Sequence, residues 1–195
     1  MELRGETIIL AQRAKVWDAL NDPEVLAACI EGVERLESLG GNRFDGTMNA
    51  KVGPVRAKFT GTIELTEIDA PNGYMLVGEG KGGVAGFAKG KAEIRLADHP
   101  LDGGGMGTRL SYHASSTVGG KLAQLGARLI EGAAKAYAES FFTSFKARVE
   151  DGGGAQPVND AQPEMAVEDA KGLSPMVWGG LVILAVAVFV TLLVL

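Results

Sequence analysis

Residues 55–68 read VRAKFTGTIELTEI. Val55, Ala57, Phe59, Gly61, Ile63 and Leu65 alternate with Arg56, Lys58, Thr60, Thr62, Glu64 and Thr66. An apolar residue at every second position marks a β-strand with one face buried and one wet. The period continues on both sides. Upstream, across a Gly53-Pro54 turn, Phe44, Gly46, Met48, Ala50 and Val52 alternate with polar residues over 43–52. Downstream, the turn cluster DAPNG at 69–73 leads into a strand at 74–80, and 88–96 alternates again. Residues 98–107, DHPLDGGGMG, read as a loop, followed by a strand at 108–118 with Leu110, Tyr112 and Ala114 on one face. Short turns between alternating strands imply an antiparallel meander.

The flanks of this meander are helical. A strand at 5–10 precedes 14–20 (AKVWDAL), which has helical spacing, and Asn21-Asp22-Pro23 offers a capped restart for a second short helix to about Ile30. Residues 120–149 carry Leu122, Leu125, Leu129, Ala133, Ala136, Tyr137, Phe141 and Phe145 on one stripe, predicting a long helix. The expected fold is therefore α+β, with two short helices after the first strand. A curved antiparallel sheet of six or seven strands wraps the long helix, which is the element able to cover its apolar face. This is a helix-grip architecture, with a transmembrane helix appended at the C-terminus.

That last element comes from residues 177–195, VWGGLVILAVAVFVTLLVL, in which sixteen of nineteen residues are apolar and none is charged. A helix of this length spans about 28 Å, close to the ~30 Å hydrocarbon core of a bilayer. The alternative, a core helix buried on every face, is rare at this length. Before it, 151–175 holds four Gly, three Pro, five acids and one Lys, the composition of a solvated, flexible tether. Residues 1–150 carry 18 basic and 19 acidic side chains, so most of the formal charge of −5 belongs to the tether. The expected organisation is a domain at 1–150, a linker at 151–175 and an anchor at 176–195. The N-terminus, MELRGETIIL, lacks the basic and apolar pattern of a signal peptide, which places the domain in the cytoplasm. The acidic balance argues against nucleic acid as a partner, and the single Cys29 precludes an intrachain disulfide.

The inner face of the meander mixes small residues (Gly46, Ala50, Gly61, Gly78, Gly80, Gly90, Ala92, Ala114) with large ones. Glycines there either let sheet and helix approach closely or leave an apolar cavity for a lipid-like ligand. Gly78, Gly80 and Gly83 match GxGxxG, but the motif joins two antiparallel strands instead of opening a helix, so it is no dinucleotide site. It reads as a hairpin with Val84 and Phe87 as apolar tips. Lys51, Arg56, Lys58, Lys81, Lys89 and Lys91 form a candidate basic outer patch. His99 and His113 lack metal-ligand spacing, and no GxSxG nucleophile motif is present. Catalytic and metal residues are therefore expected to be absent.

Three stretches carry a family resemblance: GPVRAKFTGTIELTEID (53–69), GEGKGGVAGFAKGKAEIRL (78–96) and VGGKLAQLGARLI (118–130). They resemble the carbon monoxide dehydrogenase CoxG family, of the START-like helix-grip (SRPBCC) superfamily. The resemblance implies a non-catalytic accessory protein that recruits a CO-dehydrogenase-type molybdenum hydroxylase to the cytoplasmic membrane. It also implies an apolar pocket able to hold a quinone, menaquinone or ubiquinone, or a similar lipid, linking the enzyme to the respiratory chain. No covalently bound cofactor is implied. The expected ligand contacts are Phe44, Met48, Phe59, Ile63, Leu76, Phe87, Tyr112, Leu122, Leu125 and Leu129, between sheet and long helix. Two other readings stay open: an anchoring adaptor with a filled core, and a helix-grip enzyme of the cyclase or hydrolase type.

Overall fold

The computed structural model describes residues 2–151. The expected anchor and all but the first residue of the expected linker lie outside the described residues. Among those described, no helix is long and apolar enough to cross a membrane.

The chain order is β1 (Glu2–Ile9), α1 (Arg13–Leu20), α2 (Pro23–Cys29), β2 (Val33–Gly40), β3 (Arg43–Val52), β4 (Val55–Asp69), β5 (Gly73–Lys81), β6 (Phe87–Pro100), β7 (Met106–Gly119) and α3 (Ala127–Asp151). The strands form one seven-stranded antiparallel sheet in the order β1-β7-β6-β5-β4-β3-β2. The two short helices carry the chain between the sheet's edge strands, β1 and β2. Asp22 caps α2 by accepting from the backbone N–H groups of Glu24 (2.8 Å) and Val25 (3.4 Å), with Pro23 in the first turn. The capped restart at 21–23 and the strand at 43–52 match the expected positions.

Two boundaries differ from the sequence reading. Asp98, His99 and Pro100 are strand residues, not loop: they pair with Thr108, Gly107 and Met106. Turn-forming residue types lost there to the ladder of β7, and Pro100 is accommodated at the strand's end. The long helix begins at Ala127 instead of Gly120. Before it, Leu122 N–H donates to the Ala85 carbonyl (3.0 Å), a 3-10 turn covers Ala123–Leu125, and Gly126 at φ +83° breaks the path.

That break resets the helical phase. The buried stripe of α3 is Ile130, Ala134, Ala138, Phe141, Phe145 and Val149, so its first half lies one residue beyond the expected Leu129 and Ala133. These side chains meet the inner face of the sheet, where Phe44 faces Ile63 and Met48 faces Phe59 in direct cross-strand pairs. Each fully buried large side chain contributes about 1.5–3 kcal/mol of transfer free energy. Two polar contacts fix the helix along the sheet. Lys51 N–H on β3 donates to Tyr137 Oη (3.1 Å), and Leu10 N–H donates to the Glu150 carboxylate (2.8 Å). The helix thus starts beside the β5–β6 turn and ends beside the β1–α1 junction, at opposite ends of the sheet.

Candidate functional site

The sequence placed ten residues on one ligand. The structure gathers six of them, Phe44, Met48, Phe59, Ile63, Leu76 and Leu122, in one buried cluster under the sheet. Leu125 is half-buried at its rim. The other three lie elsewhere, each for a local reason. Phe87 alternates with the buried Ala88, so its ring lies on the outer side, over Gly119, and is 44% exposed. Leu129 is 52% exposed because the helix phase gives the inward position to Ile130.

Tyr112 belongs to a different site. It pairs with Gly5 of β1, where a Cβ would sit 2.6 Å from the Tyr112 hydroxyl oxygen, so the glycine makes room for the phenol. Its ring stacks on Phe142 of α3 with centroids 5.4 Å apart. Glu6, Glu139, Thr143 and Lys146 complete a groove of about 280 Å³ between the sheet edge and the helix. Burial, and then the charge of Glu139, push the Tyr112 phenol above its ordinary range. The helical partners of Tyr112 were not foreseen, because the sequence pattern fixes which face of an element a residue occupies but not which element it meets.

Tyr74 was also missed. It shares the inner face of β5 with Leu76 and is 2% exposed, edge-on to Trp17 at 5.6 Å between centroids. Its hydroxyl finds no hydrogen-bond partner among the described residues. Burial drives its pKa far above the usual phenol value. A buried orphan hydroxyl costs about 1–3 kcal/mol of lost hydration. Tyr74→Phe is therefore expected to stabilise the protein by about 1 kcal/mol, read from urea denaturation near neutral pH. The pH dependence has a defined sign. Both phenols hold their protons more tightly folded than unfolded, so the unfolded chain ionises first as pH rises past the ordinary value of 10.0. Stability should be unaffected by these groups below about pH 9 and fall above about pH 10, less steeply in Tyr74→Phe.

The outer face of the sheet carries the largest concavity described, an open trough of about 680 Å³ running diagonally from Glu2 on β1 to Arg43 on β3. The expected basic residues Lys89 and Lys91 line it, but Glu64 and Glu79 stand among them, so its charge is mixed. Lys58, another member of the expected patch, is ion-paired with Glu34. The GxGxxG match joins β5 to β6 antiparallel, as the sequence reading required. Among the described residues, no group of three or more His, Cys, Asp or Glu is placed to hold a metal ion.

The family model of the carbon monoxide dehydrogenase component CoxG matches residues 5–150, the whole helix-grip body. The chain belongs to the CoxG family. Among solved structures, a conserved protein from Geobacillus kaustophilus is similar at 30% identity and a TM-score of 0.70, covering 77% of this chain and 96% of its own. A protein from Thermus thermophilus shares the fold at 20% identity and a TM-score of 0.56, covering 79% of this chain and 100% of its own. An aromatase/cyclase from a Streptomyces species does so at 14% identity and 0.54, covering 80% and 99%. The last two likenesses show the fold alone. No curated protein matches the chain.

Proposed function

We propose that this CoxG-family chain is an accessory protein that holds a CO-dehydrogenase-type molybdenum hydroxylase at the cytoplasmic membrane. In this reading 176–195 is the anchor, the body faces the cytoplasm, and the protein performs no chemistry of its own. The observation that carries the proposal is the family match over the entire body, joined to an uncharged apolar segment of membrane length in the same chain.

The accessory role includes carriage of a quinone, menaquinone or ubiquinone, or a similar lipid, under the sheet. Two features support this. Phe44, Met48, Phe59, Ile63, Leu76 and Leu122 form an apolar surface beside the small residues Gly78, Gly80, Ala92 and Ala114. The Tyr74 hydroxyl, at the α1 side of the same cluster, is a donor without an acceptor, and a quinone carbonyl is the kind of acceptor that an apolar ligand could bring. The chain's part is to bury the isoprenoid surface and orient the ring; redox chemistry would be the quinone's own.

The test is to purify the full chain from membranes in mild detergent, identify extracted lipids by mass spectrometry, and titrate quinone back into the delipidated protein. Micromolar binding is expected, weakened up to about tenfold in Tyr74→Phe, which loses one hydrogen bond. Absence of any bound lipid together with no micromolar affinity for either quinone would remove carriage and leave the anchoring role.

A further inference from the structure

The end of the sheet where β5 turns into β6 combines three features. The 3-10 turn Gly83–Ala85 lifts Val84 into solvent at 84% exposure, the highest among the large apolar residues described as exposed. Phe87 and, in the first turn of α3, Leu129 are exposed beside it at 44% and 52%. The turn is pinned in this shape. Gly82 N–H donates to the Gly86 carbonyl (2.8 Å), Leu122 N–H binds the Ala85 carbonyl, and the Ala85 side chain is buried. The apolar tip is thus presented by a backbone tied into the core.

The charge around it is one-sided. Within 79–89 and 119–129 the basic residues are Lys81, Lys89, Lys121 and Arg128, all exposed, against a single acid, Glu79, which faces Lys89 across the β5–β6 pairing. None of the four cations is ion-paired among the described residues. Exposed apolar side chains ringed by cations match the boundary of an anionic bilayer, where headgroups meet the charge and acyl chains the apolar tip. An acidic protein surface would satisfy the cations but offer Val84 no equivalent apolar depth.

We infer that the Val84 tip with Lys81, Lys89, Lys121 and Arg128 is a second membrane contact, one that docks on anionic lipid headgroups. It sits at the opposite end of the body from the place where the chain leaves α3. That helix of 25 residues is about 37 Å long. Docking the tip therefore inverts the body relative to its point of attachment and presses the β5–β6 end against the lipid. Neither the partner enzyme nor a bound quinone is needed for this contact.

The experiment uses the full chain carrying Val84→Cys, labelled with a small apolar, environment-sensitive fluorophore. Cys29 is buried, so the wild type serves as the labelling control. Vesicles carry an acyl-chain quencher and are made either of phosphatidylcholine alone or of phosphatidylcholine with phosphatidylglycerol. Sedimentation with the neutral vesicles reports the C-terminal anchor; quenching of the label reports the tip, so the two can fail separately. Quenching is expected only with phosphatidylglycerol and is lost in high salt. Each cation near an anionic surface is worth about fivefold, so Lys81→Gln with Lys121→Gln should shift the docked fraction about 30-fold toward free. A label at Leu39→Cys, exposed at the other end of the sheet, should stay unquenched. No quenching with phosphatidylglycerol, equal quenching with neutral lipid or in the neutralised variant, or equal quenching at Leu39→Cys would each overturn the inference.

Discussion

Phe145→Ala should destabilise the protein by about 3–5 kcal/mol, while Leu129→Ala should change stability by less than about 0.5 kcal/mol. Phe145 is fully buried and stacked on Phe141 with centroids 5.5 Å apart. Truncating it removes the transfer free energy of the ring and leaves a cavity that α3 cannot close, because Lys51 and Leu10 tie the helix to the sheet along its length. Leu129 is on the same helix but turned outward. Urea denaturation of the two variants reads the phase of α3 directly. Similar losses for both would mean that the helix presents a different face to the sheet.

Gly86→Ala should cost roughly 3 kcal/mol or more, a large effect for one methyl group. Gly86 has φ +117°, in a region almost closed to other residues, and a Cβ there would sit 1.9 Å from the Gly119 carbonyl oxygen. The neighbouring Gly120 is equally committed, since its own Cβ would fall 2.5 Å from the Gly86 Cα. These two backbones cross where the β5–β6 turn meets the chain leaving β7, so a side chain on either must force the strands apart. Thermal or urea denaturation checks the magnitude. A loss well below 1 kcal/mol would show that the crossing relaxes without strain.

Much of the fold can be read from residues because alternation is a local signal. Over 43–52 the period-two pattern matched β3, and over 55–68 it missed β4 only by its last residue. The Asp22-Pro23 cap fixed the start of α2 for the same reason. The phase of α3 was not legible. Leu122 and Leu125 continue a helical stripe on paper, and only the Gly126 conformation, set by the contact of Leu122 with the β5–β6 turn, interrupts it. Residues 98–100 misled because Asp, His and Pro signal a loop locally, whereas a partner strand decides otherwise.

The candidate site divides along the same line. Inner-face residues of strands were found because their face is encoded by parity, so Phe44, Met48, Phe59, Ile63 and Leu76 met as expected. Tyr74 has the same parity as Leu76 and could have been found by extending the rule to polar residues. What no spacing rule contains is the meeting of Tyr112 with Glu139, Phe142 and Lys146 across the sheet–helix seam, since it depends on where a distant helix comes to rest.

The accessory role is tested most directly in cells that make both this chain and its molybdenum hydroxylase. Residues 176–195 lie beyond the described body, so deleting them leaves that body's sequence intact. Membrane and soluble fractions are then assayed for hydroxylase activity and for the truncated chain. The account predicts that both leave the membrane together and still co-purify from the soluble fraction; hydroxylase activity that stays at the membrane without the segment would contradict it.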